Sequence, residues 1–177
     1  LSLGYEGKGY EVEGFVGQTS MGFPFLAPGL DIENYGITGH YTGMAGLDVG
    51  AAFLRARLSD GVFSENMDFK GAAATYLVND RLMVFGGAGS LDFLGPVGID
   101  SKGLGVSYDL GGASGFAASL SFEYGQTSMA GDDVDVMRLG LTIPLGKKGP
   151  VLPMNSVADA ILNPRHGAFN AGLTAGF

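Results

Sequence analysis

Residues able to do chemistry are sparse in this chain. His40 and His166 are its two histidines, they fall in unrelated segments, and there is no cysteine. With no Cys and no HExxH spacing, neither a disulfide framework nor a zinc site can be assembled. The stretch GHYTG sets His40 and Thr42 two apart, which puts a base and a hydroxyl on one face of an extended segment; they read as polar residues of an interior. GDDVD, from Gly131 to Asp135, offers carboxylates but lacks the EF-hand spacing and its distal Glu. The glycine-rich GGAGS and GGASG precede neither a helix nor a Lys, so they are strand and turn glycines rather than phosphate cradles. No catalytic residue, metal site or cofactor is expected, and the chain reads as a non-enzyme.

The remaining ionisable residues sit in segments whose pattern positions them. From Val134 to Leu145, Met137, Leu139, Leu141, Ile143 and Leu145 alternate with Arg138, Gly140 and Thr142. From Phe116 to Gly125, Phe116, Ala118, Leu120, Phe122 and Tyr124 alternate with Ala117, Ser119, Ser121 and Glu123. Leu104, Val106, Tyr108 and Leu110 stand opposite Gly103, Gly105, Ser107 and Asp109. Successive strand side chains point to opposite faces, so these are strands. Weaker segments of the same kind are Gly9 to Thr19, Tyr35 to Met44, Leu47 to Leu58, Met67 to Asn79 and Arg81 to Asp92. The pattern predicts an all-β, antiparallel, up-and-down transmembrane barrel of eight strands over 1–146, with a C-terminal tail over 147–177 in the same domain; ten strands is the alternative count.

Composition agrees. Gly is 32 of 177 residues and Pro 7, without a collagen period. No apolar run is long enough for a membrane-spanning helix, but strands cross with a weaker signal. A net charge of −8 repels nucleic acid, which is excluded as a partner. One face is bulky and apolar while the other is small, and only 16% of residues are charged. An inside-out barrel follows, greasy toward lipid and small toward the lumen. The lumen is then expected to hold Arg55, Arg57, Lys70 and Arg138 with Glu11, Glu13, Asp68, Asp109 and Glu123, as a plugging ion-pair network in which Arg138 meets Glu123. Connections alternate long and short. The stretch GQTSM, at Gly17 to Met21 and Gly125 to Met129, is expected twice at one outer rim. The long loop from Ser20 to Asn34 would expose Phe23, Phe25 and Leu26 to a protein partner. Tyr10, Tyr35, Tyr41, Tyr76 and Tyr124 would supply interfacial girdles.

After Leu145, Lys147, Lys148, Pro150 and Pro153 lead to a short helix from Ser156 to Leu162, capped by Asn155 and ended by Pro164. The final AFNAGLTAGF alternates Phe169, Ala171, Leu173, Ala175 and Phe177. It resembles the C-terminal signature of bacterial outer-membrane β-barrel proteins. That resemblance implies recognition by the barrel-assembly machinery, contact with outer-membrane lipid and an outer-membrane location. The His40 and Thr42 spacing is similar to the His-x-Ser pair of outer-membrane lipid A deacylases, with Thr in place of Ser and on the lumen side. The expected role is a non-enzymatic barrel that anchors, stabilises or presents loops; a narrow porin-like solute pore and the C-terminal translocator piece of an autotransporter-like protein are the alternatives.

Overall fold

The structure, a computed structural model, describes residues 1–23, 26–60, 62–93, 97–111, 117–143 and 149–163. Nine strands run in chain order through one sheet: β1 (Ser2–Gly7), β2 (Tyr10–Phe23), β3 (Leu26–Tyr41), β4 (Leu47–Ser59), β5 (Ser64–Asn79), β6 (Leu82–Phe93), β7 (Val97–Asp109), β8 (Ser119–Met129) and β9 (Asp132–Thr142). Every neighbouring pair is antiparallel. The architecture is an all-antiparallel up-and-down sheet in which each strand pairs with its sequence neighbours. No helix among the described residues is long and apolar enough to cross a membrane.

The strand count and the loops differ from expectation. β1, short and with Leu3 and Tyr5 exposed, is the ninth strand; it pairs with β2 from Ser2 opposite Phe15 to Gly7 opposite Tyr10. The connection expected over Ser20 to Asn34 is mostly ladder, because β2 and β3 stay paired until Phe23 faces Leu26. Pairing slips between Met21 and Phe23, and Pro28, which has no N–H to give, falls in the unpaired stretch. An exposed apolar tip of Phe23, Phe25 and Leu26 therefore has no long loop to carry it; Phe25 and all three side chains lie outside the described residues. The other connections at this end are also tight. Asp60 accepts from the backbone N–H groups of Val62 and Phe63 between β4 and β5, and Ala130 and Gly131, at φ 54° and 94°, turn β8 into β9. Both GQTSM copies lie in parallel strands, β2 and β8, near this same end.

Burial separates the faces. Leu139, Met137 and Leu104 are 76%, 73% and 69% exposed, while Ser107, Ser119, Ser121 and Glu123 are buried. Bulky residues point outward. Residues opposed across a ladder share a face, so the register extends this assignment to all strands. On β4 the outward positions read Leu47, Val49, Ala51, Phe53, then Arg55 and Arg57; on β6, Leu82, Val84, Gly86, Ala88, then Ser90 and Asp92. On β9, starting from the other end, they read Ile143, Leu141, Leu139, Met137, then Asp135 and Asp133. Each strand thus presents about seven residues of apolar height and then a polar collar. Seven residues measure about 23 Å along a strand, against an apolar band of about 25 Å in outer-membrane barrels; tilt shortens the projection, which suits a thin bilayer.

The collar does not follow the hydrogen-bonded rows. Gln18 is level with Glu33, and Lys102 with Gln126, yet Glu33 stands opposite Arg57 and Ser90 opposite Asp100, two residues further out. A flat membrane surface crossing tilted strands produces this stepping. At the opposite end Tyr10, Tyr41, Tyr76 and Tyr108 lie close to the turns on the outward face, and Tyr10 and Tyr41 bring their ring centroids to 4.8 Å.

Leu141→Arg, in the apolar belt, should destabilise the folded barrel by roughly 2 to 4 kcal/mol in a vesicle folding titration, whereas Gln126→Arg in the collar should leave stability unchanged. The two backbone bonds hold the Asp60 carboxyl below the ordinary aspartate value. Its contribution is present above the unfolded pKa of about 3.9 and is lost as pH falls through the lower folded value. Amide exchange at Val62 and Phe63 should therefore accelerate only on acidification below that range.

The occupied lumen as candidate functional site

Beyond β9 the chain returns along the inner face. The Gly149 N–H donates to Asp109 at 3.1 Å. Ser107, hydrogen-bonded to Ser119 at 2.7 Å, also donates to the Val151 carbonyl, and Ser119 receives the Val151 N–H. Further along, the Val157 N–H donates to Glu123 at 2.9 Å. Three successive anchors on β7 and β8 thus guide 149–157 along the wall. All are polar, because an extended segment carries backbone groups that must be paired once water is excluded.

The segment then forms helix α1 (Val157–Leu162). Ser156, not the expected Asn155, is its N-cap: the Ser156 hydroxyl accepts from the Asp159 N–H, and Asp159 reaches back to the Asn155 N–H. This reciprocal box satisfies two donors that a helix start leaves open. Asn155 instead carries a positive φ of 65° just before the cap. Asp159 also accepts from the Asn163 side chain, which closes the helix at Asn163. Pro164 and the alternating segment to Phe177 lie outside the described residues, so the assembly signal does too.

Helix α1 packs on β4, β5, β6 and β7. Ala158, Ile161 and Leu162 form a buried cluster with Ala73, Met83 and Phe85, against which Phe69, Leu152 and Val157 lean. The wall is carved to admit it. A Cβ on Gly50 would stand 2.6 Å from Leu162, one on Gly71 2.8 Å from Ile161, and one on Gly103 2.7 Å from Glu123 and 3.1 Å from Val157. Real Cβ atoms do not tolerate such approaches, so these glycines are the space the helix occupies.

The expected ion-pair network has a different layout. Arg138 donates to Glu123 at 2.8 Å on the inner face, with Glu123 2% exposed. Arg55 binds Asp68 through two nitrogens and reaches the Tyr35 hydroxyl at 3.3 Å; Arg57 donates to Ser64, and Lys70 pairs with Asp92 at 3.2 Å. Arg55, Arg57, Asp68 and Lys70 therefore belong to the outward collar, not the lumen. Beyond the hydrocarbon an outward charge is solvated, so small neighbours no longer mean an inward position. Asp109 faces inward and anchors Gly149. Glu11 and Glu13 face inward on β2, opposite His40 and Thr38. No metal-holding group of three is present among the described residues.

His40 lies between acids. Its Nδ1 is 3.4 Å from Asp48, and Glu11 is its cross-strand neighbour. An imidazole oriented by a carboxylate can move a proton. Among the described residues no hydrogen bond joins it to Thr42, which lies past the end of β3. The buried Ser107 and Ser119, which hold the returning segment, were missed in the sequence; their signal was hydroxyls placed across from each other on a small-residue face.

No protein family and no curated protein sequence matches this chain. Two solved structures share its fold. A loop L8 deletion mutant of OmpT, an outer membrane protein of Vibrio cholerae, matches with a TM-score of 0.61 and 19% identity over 79% of this chain and 51% of that one. In-vitro folded OmpT of Vibrio cholerae, in its trimer form, matches with a TM-score of 0.56 and 19% identity over 82% and 51%. The fold is that of bacterial outer-membrane β-barrels. The chain spans about half the length of these structures.

This likeness corrects two expectations. The expected non-enzymatic role does not stand: the matched structures are larger outer-membrane barrels, and the fold they share does not exclude catalysis. The exclusion of catalysis falls as well. It rested on missing motifs, and strands can bring together groups that no short motif records, as with His40 and Asp48.

Ile161→Ala should lower stability by roughly 2 to 5 kcal/mol. Gly71→Val should expel α1 while the ladders persist, seen as new protease cleavage within 149–163 of the membrane-inserted protein.

Proposed function

We propose that this chain belongs to an outer-membrane β-barrel closed internally by its own segment 149–163, which acts at its outer rim and lipid-facing surface and engages outer-membrane lipid there. The observation that carries the reading is α1 itself, whose Ala158 and Ile161 are 0% and 1% exposed inside the sheet. The helix packs on β4, β5, β6 and β7 and so obstructs a water path along those strands. Four inward polar groups on β7 and β8 hold the returning segment: Asp109, Ser107, Ser119 and Glu123 each bind it. The outward collar, in contrast, carries four cations and many carboxylates at headgroup height, where lipid meets it.

The test is electrical. The protein in planar bilayers should show no steady openings, and Ile161→Asp, which places a charge in the apolar cluster, should produce them. Steady conductance of the unaltered protein with 149–163 protected from protease would overturn the reading.

A further inference from the structure

The outward face of β5 to β8 bears a cleft of about 400 Å³ at the lower edge of the collar. Besides Ser101, whose alternation places it on the inner face, its polar lining is Lys70, Ser90, Asp100, Lys102, Gln126 and Ser128. The register makes these one cluster: Lys70 stands opposite Ser90, Ser90 opposite Asp100, and Lys102 opposite Gln126. Lys70 shares its ammonium with Asp92 at 3.2 Å, both side chains being about half exposed. Lys102 has no hydrogen-bond or ion-pair partner among the described residues. Directly toward the membrane from Lys70 and Ser90, β5 and β6 present Ala72, Ala74, Gly86 and Ala88 outward, and Lys102 stands opposite Ala88. Val49 on β4 stands opposite Ala74 and Leu104 on β7 opposite Gly86, while Ala51 continues the small surface opposite Ala72, so a recess runs between bulkier neighbours.

We propose that this cleft binds the headgroup of a phosphorylated glycolipid, with one acyl chain bedded in the recess below; the proposal rests on the outer-face reading above and specifies its ligand. The chemistry matches group by group. Two ammonium groups on the strands either side of β6 suit a phosphate, which Lys binds as a point charge. Asp100, Ser90, Ser128 and Gln126 offer acceptors and donors for sugar hydroxyls, which a phosphate alone would not use and beside which a bare anion would be repelled by Asp100. The location is equally specific. The lysines sit at the first polar outward position of their strands, the height at which a lipid headgroup begins, and the recess lies within the apolar belt. A soluble ligand would gain nothing from it.

The probe is bis-phosphorylated lipid A, bound to the detergent-folded chain and followed by native mass spectrometry, with heat-modifiable migration confirming that each variant is folded. K70Q/K102Q should bind it roughly thirtyfold more weakly, the effect of two lysines at a membrane surface. K102Q removes a side chain without a described partner, so its share of that loss is read without a folding change. Ala88→Phe, which fills the recess, should weaken binding without touching a charge. Phosphate-free lipid A should bind poorly, and inorganic phosphate should not compete. Equal binding by K70Q/K102Q, or equal binding of the phosphate-free lipid, overturns the proposal. Competition by inorganic phosphate overturns it too, by showing a free-anion site. The two readings fail separately: conductance of the unaltered protein defeats internal closure while lipid selectivity stands, and loss of selectivity defeats the cleft while the bilayer stays silent.

Discussion

Inside hydrocarbon a backbone N–H or C=O has no water to bind, so every one must be paired within the protein. Consecutive antiparallel ladders pair each of β2 to β8 on both sides, and they dictate much else. Once the ladders form, side chains alternate across the wall. Apolar bulk then faces lipid and small residues face inward, the reverse of a soluble barrel. The same pairing continues past the bilayer into hairpins, which is why the outer connections are short and the charged collar is borne on strands.

The inner wall answers a second constraint. A sheet wall with small inward residues leaves a void, and voids forfeit dispersion contacts. Here the chain fills its own lumen. Glycines at 50, 71 and 103 let α1 approach the backbone closely, while Asp109, Ser107, Ser119 and Glu123 pair the polar groups of the segment leading to it. Glu123 links both demands: one oxygen receives Arg138 and the other the Val157 N–H, so the buried carboxylate is satisfied on each side. The high glycine content thus has a packing cause.

The collar shows how location changes the meaning of a charge. Arg55 and Asp68 stand on the same outward face as Phe53 and Ala72, yet they lie beyond the apolar belt, where headgroups and water solvate them. A residue's face and its height together decide its environment. The fold shared with OmpT, of which this chain covers about half, is compatible with that division between a greasy belt and a polar rim.

Much of the wall was legible from the chain alone. Periodicity of two is a local property, so β7, β8 and β9, their lipid-facing residues and the Arg138 and Glu123 pairing could be read from spacing. The short helix was visible too, through its flanking prolines, although its cap is Ser156 and not the expected Asn155. What spacing could not convey was height along the barrel axis and the path of the chain after β9. Height depends on strand tilt and on register accumulated across several ladders; without it Arg55, Arg57, Lys70 and Asp68 were assigned to the lumen. The returning segment depends on contacts between residues far apart in sequence, such as Ile161 with Gly71 and Val151 with Ser107. Local alternation therefore determined which residues share a face, and only tertiary structure decided what each face meets, because that is set by long-range pairing and by position relative to the membrane.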